Sequence, residues 1–311
     1  MQNNLAFIFP GQGSQAVTML SDFAEHSVVQ STFSEASKSL GYDLWQLISE
    51  GPAEKLNQTN FTQPALLTAS VALWRLLDSE SEMSPAIIAG HSLGEYSALV
   101  CAGVLSLADG VKLVEKRGEF MQASVPEGVG AMAAVIGLSD DKIIDACQQA
   151  AEQQIVSAVN FNSPGQVVIA GNKEAVERAG ILCKEAGAKR VLPLPVSVPS
   201  HCALMKDAAE KLAQEFNSVT FNQPNIPVIN NVDVAIENDV EAIKQALIKQ
   251  LYSPVRWTEI VEILADKGIE AAIEVGPGKV LQGLVKRINK SITCVSVNDN
   301  ESLSKAKELI K

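Results

Sequence analysis

Positive charge, long apolar runs and paired cysteines are all scarce in this sequence of 311 residues, and each absence excludes a class of function. The chain has 25 Lys and Arg against 36 Asp and Glu, a formal net charge of −11. It therefore lacks the basic surface that binding to a nucleic-acid backbone requires. No apolar run reaches the ~18 residues of a membrane-spanning helix. We expect neither a nucleic-acid partner nor a membrane partner.

The five cysteines are scattered and include no C-x-x-C pair, which argues against both a disulfide framework and a zinc site. We expect no metal ion and treat these cysteines as small apolar side chains. The first nine residues lack the positive charge and the long apolar region of a signal peptide. The predicted location is therefore the cytoplasm. The cysteines are Cys101, Cys147, Cys183, Cys202 and Cys294.

The composition is that of a well-packed globular protein, with 47% apolar and 20% charged residues. At roughly 150 residues per domain, the length predicts about two compact units, or one unit with an insertion. Strands alternate with helices in most of the chain, which predicts an α/β fold with a mainly parallel sheet covered on both faces. The predicted strands are 5–9, 86–89, 227–231 and 271–275, and the predicted helices are 31–78 with a break at 51–52, 95–101, 107–124, 203 onward, 240–252, 257–267 and 279 onward.

The segment 126–196 has a different order of elements, β-α-β-β-α-β, which is the ferredoxin-like order. We assign it to an inserted small subdomain. The large subdomain is then discontinuous and consists of residues 1–125 and 197–311.

Residues 90–94 have the pattern G-x-S-x-G between a short apolar strand and a predicted helix. In a nucleophile elbow, the turn from strand to helix is so sharp that the serine adopts a strained backbone conformation. The glycines on either side have no side chains that would collide with the neighbouring backbone. Ser92 would then be held at a helix N-terminus, beside the backbone N–H of Leu93. The alternative is a serine that merely caps the helix. The strand before it and the helix after it favour the nucleophile.

A serine nucleophile needs a base, and the chain offers only three histidines. His91 is adjacent to Ser92 in sequence, so its side chain is expected to pack beside the loop. His26 lies in a polar stretch and is expected at the surface. His201 follows the inserted segment, where the chain returns to the cleft between the two units, and we predict that it is the base. Its alternative role is a local hydrogen bond at a helix start.

A third group should orient the imidazole, but spacing assigns no acid to this role. Asp207 and Glu210 lie in the following helix and are expected to be solvated. A neutral acceptor would suffice.

Arg117 falls on or beside the apolar face of the predicted helix 107–124. An arginine in an apolar setting needs an anionic partner. The partner is either an acid of the chain, such as Glu115 or Glu119, or the carboxylate of a substrate held by a bidentate clamp. The residues by themselves leave these two interpretations equally open.

Six motifs occur together and in order, and their combination resembles the malonyl-CoA:acyl carrier protein transacylases of bacterial type II fatty acid synthesis over essentially the full chain. That resemblance implies an α/β-hydrolase-like large subdomain, a ferredoxin-like small subdomain and an active site between them. The motifs are GQGSQ at 11–15, GHSLGEYSA at 90–98, KRG at 116–118, NFNSPGQ at 160–166, PSH at 199–201 and EVGPG at 274–278.

The resemblance also implies a reaction. Ser92 would take the malonyl group from malonyl-CoA as an ester and pass it to the phosphopantetheine thiol of acyl carrier protein, in a ping-pong transfer. His201 would act as base and then as acid, oriented by the main-chain carbonyl of Gln250. No cofactor is implied.

The resemblance assigns the remaining site residues as well. The backbone N–H groups of Gln12 and Leu93 would form the oxyanion hole, and Arg117 would hold the malonyl carboxylate. Thr18 is a departure, because many relatives have glycine there, and it is expected to affect only the packing of the first helix.

Two other functions remain open at this stage. A serine hydrolase would use the same Ser92 and His201 to transfer acyl groups to water, and a docking component of a synthase would keep the elbow without using it. We expect a monomer.

Overall fold

The structure is a computed structural model that describes residues 4–196 and 198–310. The strands are β1 (Leu5–Phe9), β2 (Ile87–Gly90), β3 (Gly130–Ile136), β4 (Val156–Ser163), β5 (Gln166–Asn172), β6 (Arg190–Pro193), β7 (Val228–Ile229), β8 (Ala271–Val275) and β9 (Thr293–Val297). The helices are α1 (Ser27–Leu40), α2 (Leu44–Glu50), α3 (Ala53–Leu56), α4 (Thr59–Glu80), α5 (Leu93–Cys101), α6 (Leu107–Ser124), α7 (Asp140–Ala151), α8 (Lys173–Glu185), α9 (Lys206–Glu215), α10 (Val240–Gln250), α11 (Trp257–Asp266), α12 (Val280–Ile288) and α13 (Asn300–Ile310).

Five strands form a parallel sheet in the order β7-β2-β1-β8-β9, which confirms the predicted mainly parallel sheet. Its central strand β1 is apolar throughout because both faces are covered. Leu5, Phe7 and Phe9 point into the larger core, which includes α4, α5 and α6, and Ala6 and Ile8 point into the core formed with α11 and α12. The parallel strands end at one edge of this sheet, where β2 leads directly into the Ser92 turn.

The other four strands form a separate antiparallel sheet in the order β4-β5-β3-β6. Helices α7 and α8 cover one face with a core of small and β-branched residues. On the opposite face, Met132, Ala134 and Val168 pack against Cys202. This sheet therefore contacts the segment that contains His201.

Several element boundaries differ from the sequence prediction. The single broken helix predicted for 31–78 is four helices, and the first ends where Gly41 adopts a φ of 81°. Helix α9 begins at Lys206 after a short 3₁₀ turn, and β9 and α13 were not predicted at all. Strand β9 lies at a sheet edge and is only partly buried, so its sequence lacks the apolar run of a central strand.

Parts of two sequence predictions lie outside the described residues. Residue 197, at the predicted subdomain boundary, is one, and residues 1–3 of the N-terminal segment are the others.

Candidate active site

Ser92 lies in the sharp turn between β2 and α5, with a backbone φ of 53° and ψ of −108° that L-residues rarely adopt. The turn leaves no room for side chains on its glycines. A Cβ on Gly90 would lie 1.9 Å from the carbonyl carbon of Gly94, and one on Gly94 would lie 2.1 Å from the Phe9 carbonyl oxygen. The Asn231 Oδ1 accepts a hydrogen bond from the Ser92 N–H at 2.6 Å, which fixes the turn.

His201 reaches the Ser92 hydroxyl from 109 residues further along the chain, and its Nε2 lies 2.7 Å from Oγ. Its Nδ1 lies 2.7 Å from the main-chain oxygen of Gln250. A carbonyl oxygen can only accept, so Nδ1 carries the proton and Nε2 is free to accept the hydroxyl proton. The Ser92 side chain makes no capping hydrogen bond to α5, which contradicts the interpretation of this serine as a simple helix cap.

The imidazole of His201 is buried and neutral. Burial, together with the positive charge of Arg117, lowers the pKa of His201 to about 3, although the hydrogen bond to Gln250 opposes this shift. A neutral imidazole is the form that can act as a base. Asp207 and Glu210 are exposed, and the Gln250 carbonyl stands where other serine enzymes have an acid.

Arg117 extends from α6 to the same place and is only 1% exposed. Its Nη1 donates to Gln63 Oε1 at 2.8 Å, and its Nη2 donates to Gln250 Oε1 at 2.9 Å. The same Nη2 lies 3.4 Å from Ser92 Oγ. The guanidinium also lies over the Tyr96 ring, 5.4 Å from its centroid. Amides and an aromatic ring thus hold the guanidinium beside the serine.

Within the described residues, Arg117 forms no salt bridge, and its Nε has no hydrogen-bond partner. Glu119 pairs with Lys116 at 2.7 Å, and within the described residues no salt bridge joins Glu115 to Arg117. The interpretation of Arg117 as the ion-pair partner of these acids is therefore wrong. Burial lowers the pKa of Arg117, although Tyr96 and Glu95 oppose the shift, which reflects the cost of burying a charge.

Gln12 lies in the loop after β1, and Leu93 is the first residue of α5. In the part of the chain that the structure describes, neither backbone N–H has a hydrogen-bond acceptor. Both residues line the cavity in front of Ser92. The N-terminus of a helix favours negative charge, so this pair could stabilise an oxyanion.

The cavity has a volume of about 110 Å³ and is lined by Ser92, His201 and Arg117 together with apolar side chains such as Met132. The Oδ1 of Asn160, another lining residue, is buried and has no hydrogen-bond partner among the described residues. Among the described residues, no group of three or more His, Cys, Asp or Glu side chains is placed to hold a metal ion. Likewise, no helix in the described part of the chain is long and apolar enough to cross a membrane.

The other two histidines lie elsewhere. His91 Nε2 is 2.8 Å from Asn162 Oδ1, and its ring packs on Trp257 at 5.6 Å between centroids. His26 is partly exposed, 3.9 Å from Glu80. Neither reaches the Ser92 hydroxyl.

The site also contains three buried polar residues that were not predicted from the sequence, Gln63, Glu95 and Asn231. Glu95 directly follows the G-x-S-x-G pattern, and Asn231 is the last residue of a predicted strand, so position offered a weak signal for both. Gln63 is one of several polar residues in α4, and sequence by itself cannot distinguish it from the solvated ones.

The chain matches a known protein family over nearly its whole length. The acyl transferase domain family matches residues 6–307. This chain belongs to the acyl transferase family. The malonyl CoA-acyl carrier protein transacylase of Escherichia coli (strain K12) is 63% identical to this acyl transferase over 305 residues, which cover 98% of the chain and 99% of the relative. The protein of the same name from Bacillus subtilis (strain 168) is 45% identical over 311 residues, which cover 99% of this chain and 98% of the relative.

Solved structures of related proteins also superimpose closely on this acyl transferase. An acyl carrier protein S-malonyltransferase from Vibrio cholerae has a TM-score of 0.96 and 63% identity, with 98% of this chain and 100% of the other covered. A malonyl-transacylase solved in complex with its type II PKS acyl-carrier protein has a TM-score of 0.97 and 58% identity. The match covers 98% of this chain and 99% of the other.

Proposed function

We propose that this acyl transferase moves the malonyl group of malonyl-CoA to the phosphopantetheine thiol of acyl carrier protein, and so supplies extender units for fatty acid synthesis. Arg117 carries this proposal. Its buried guanidinium has no carboxylate partner among the described residues, and its Nη2 lies 3.4 Å from Ser92 Oγ. An acyl group that ends in a carboxylate, as malonyl does, would supply the missing anion. The names of the relatives support the same donor and acceptor.

In the first half-reaction, Ser92 Oγ attacks the thioester carbonyl carbon while its proton passes to Nε2 of His201. The Gln250 carbonyl keeps the Nδ1 proton in place and stabilises the imidazolium that forms. The N–H groups of Gln12 and Leu93 receive the oxyanion. The C–S bond then breaks, the imidazolium returns its proton to the leaving sulfur, and a malonyl-serine ester remains.

The second half-reaction uses the same groups in reverse. The phosphopantetheine thiol gives its proton to His201 Nε2 and attacks the ester carbonyl. The C–O bond to Ser92 breaks, and the imidazolium returns the proton to Oγ. The malonyl group leaves as a thioester of the carrier protein, which makes the reaction a ping-pong transfer.

Intact-mass measurement tests this scheme. After incubation with malonyl-CoA, the wild-type protein is expected to gain one malonyl group, and Ser92→Ala none. Addition of holo acyl carrier protein should then remove the malonyl group and add it to the carrier. Loading of Ser92→Ala to the same extent would contradict the ester, and release only as free malonate would indicate a hydrolase.

We extend the proposal to the architecture and the state of the protein. Residues 1–125 and 197–311 would form the α/β-hydrolase-like subdomain, and 126–196 the ferredoxin-like one, which the two separate sheets support. A monomer is sufficient because one chain provides every residue of the site. A cytoplasmic location follows from the proposed CoA substrate. Light scattering on the purified protein tests the monomer.

A further inference from the structure

Glu95 is a buried carboxyl group beside the nucleophile that the proposed reaction does not use. It lies in the first turn of α5 and is 2% exposed. Its Oε2 accepts two hydrogen bonds, from the Asn231 backbone N–H at 2.9 Å and from Gln250 Nε2 at 2.8 Å. It forms no salt bridge with any described residue. A buried acid in such a place is costly to keep, so its contacts point to a role in the site.

The contact with Gln250 fixes which way that side-chain amide faces. Gln250 Nε2 donates to Glu95 Oε2 and, at 3.1 Å, to the main-chain oxygen of Ser92. Its Oε1 accepts from Arg117 Nη2 at 2.9 Å. If the amide were turned over, its NH₂ would face the guanidinium, donor against donor, and its oxygen would face two acceptors. Glu95 therefore keeps the amide oxygen of Gln250 directed at Arg117.

Arg117 in turn depends on two amide oxygens for its position. Gln63 holds Nη1 and Gln250 holds Nη2, and Nη2 is the atom near Ser92 Oγ. Loss of one amide would let the guanidinium turn about the other, and small displacements of a binding group at a reacting centre are costly.

We infer that Glu95 is a positioning residue that acts through the Gln250 side chain to orient Arg117, and thereby sets the preference for acyl groups that bear a carboxylate. This inference rests on the proposed function. The His201 contact is separate, because it uses the main-chain oxygen of Gln250 rather than its side chain.

The hydrogen bonds, and not the charge of Glu95, carry this role. Both bonds converge on one oxygen, which a neutral carboxyl group or an amide can also provide. Burial raises the pKa of Glu95 to about 7, although Gln250, Asn231 and Arg117 oppose the shift, so the charge is only partly present near neutral pH. Asp233 adds to the increase.

Two conservative variants separate position from charge. Glu95→Gln keeps an oxygen of the same reach, and Glu95→Asp keeps the charge but withdraws the oxygen by one methylene group. For each variant, we would measure the rates of loading from malonyl-CoA and from acetyl-CoA by intact mass. We expect the malonyl-to-acetyl ratio to fall about tenfold in Glu95→Asp, because the shorter side chain withdraws the acceptor that orients the Gln250 amide, and Arg117 then loses its fixed position. Glu95→Gln should restore it to within about threefold of wild type, since the acceptor remains.

Glu274→Gln is the matched control. Like Glu95, Glu274 is a buried acid that accepts two hydrogen bonds. Its donors are the backbone N–H groups of Leu281 and Gln282, and it lies outside the site. Its variant should change the melting temperature without changing the ratio.

Several results would overturn the inference. Equal losses of malonyl and acetyl loading in Glu95→Asp would indicate a purely structural role, and an unchanged ratio would exclude any role in selection. In a Gln250→Ala background, which keeps the main-chain carbonyl, Glu95→Asp should have no further effect on the ratio. An additive effect there would contradict the path through Gln250. Failure of the wild type to load malonyl would instead contradict the proposed function.

Discussion

Ser92 and His201 both have a positive backbone φ, 53° and 65°, and they are hydrogen-bonded to each other. Such a conformation costs roughly 1–3 kcal/mol for a residue with a side chain, and it persists only where the surroundings impose it. Here Asn231 fixes the N–H of Ser92, and the Leu251 carbonyl accepts from the N–H of His201 at 3.0 Å. Two of the six described non-glycine residues with positive φ are thus the two residues proposed to react.

Thr18 has a φ of 71° without any place in the site. It is exposed and lies in a turn before α1. We predict that Thr18→Gly raises the free energy of unfolding by roughly 0.5–1 kcal/mol, because the relief of strain exceeds the added entropy of the unfolded chain. Urea unfolding measures the change. The exposed Thr220, which has no positive φ, is the control, and Thr220→Gly should not stabilise.

Arg117→Ala tests the carboxylate clamp. Loading from malonyl-CoA is expected to fall at least about a hundredfold, because a buried charged hydrogen-bond pair is lost, while loading from acetyl-CoA stays or rises. Arg75→Ala is a suitable control, since Arg75 pairs with Glu35 away from the cavity. A comparable decrease for both acyl groups in Arg117→Ala would refute the clamp.

At the scale of the elements, helices α4 and α6 approach so closely that one position has no space for a side chain. A Cβ on Gly118 would lie 2.6 Å from the Asn60 Cα, at the start of α4. This contact brings Arg117 on α6 and Gln63 on α4 within hydrogen-bond distance. The glycine next to the arginine is thus part of how the clamp is positioned.

Two glycine-to-alanine changes should have opposite effects on stability. Gly118→Ala is expected to lower the free energy of unfolding by about 1–3 kcal/mol, because the added methyl group collides with backbone. Gly283→Ala lies in the interior of α12, where an added Cβ would meet no described atom within 4 Å other than its chain neighbours and the backbone of its own helix. It should raise the free energy of unfolding by about 0.5–1 kcal/mol. Chemical denaturation of both proteins measures the difference. A stabilised Gly118→Ala would show that the helices can separate without cost.

At the scale of the whole molecule, the site is assembled from both sheets. The backbone N–H of Phe161 in β4 donates to the Val255 carbonyl at 3.0 Å, and the Val255 N–H donates to the Val159 carbonyl at 2.8 Å. This link joins the antiparallel sheet to the segment between α10 and α11. It brings Asn160 to the cavity that Ser92 enters from the parallel sheet.

Burial of His201 makes the stability of the fold depend on pH. The ordinary pKa of histidine is near 6.5, and the folded value is about 3, so between these values the unfolded chain binds the extra proton. Stability is therefore fully present above pH 6.5 and decreases as the pH falls toward 3. We predict that wild-type stability falls from about pH 7.5 to about pH 5 more than that of His201→Gln.

Urea unfolding of the two proteins at both pH values measures this difference. The raised pKa of Glu95 acts in the opposite direction, but it is present in both proteins and cancels in the comparison. His26→Gln, a change at a partly exposed histidine, should follow the wild type. Equal pH slopes for wild type and His201→Gln would contradict the prediction.

The amount that could be predicted from the sequence differs between fold and site. The parallel sheet was predictable because its strands are apolar on both faces, as in β1, and Ser92 because a glycine on either side is the local condition for the turn. Strand β9 was missed because an edge strand needs no apolar run. Gln63, Glu95 and Asn231 were missed because their partners are 54, 155 and 139 residues away.

Features that depend on neighbours along the chain could be inferred without a structure: the periodicity of the strands, the sharp turn at Ser92, and the scarcity of histidine that left His201 as the predicted base. The surroundings of Arg117 depend instead on the folded chain. Two amide oxygens from α4 and α10 face its guanidinium, and no described carboxylate does. The physical reason is that the cost of a buried charge depends on which groups the folded chain brings around it, and spacing along the chain does not record them.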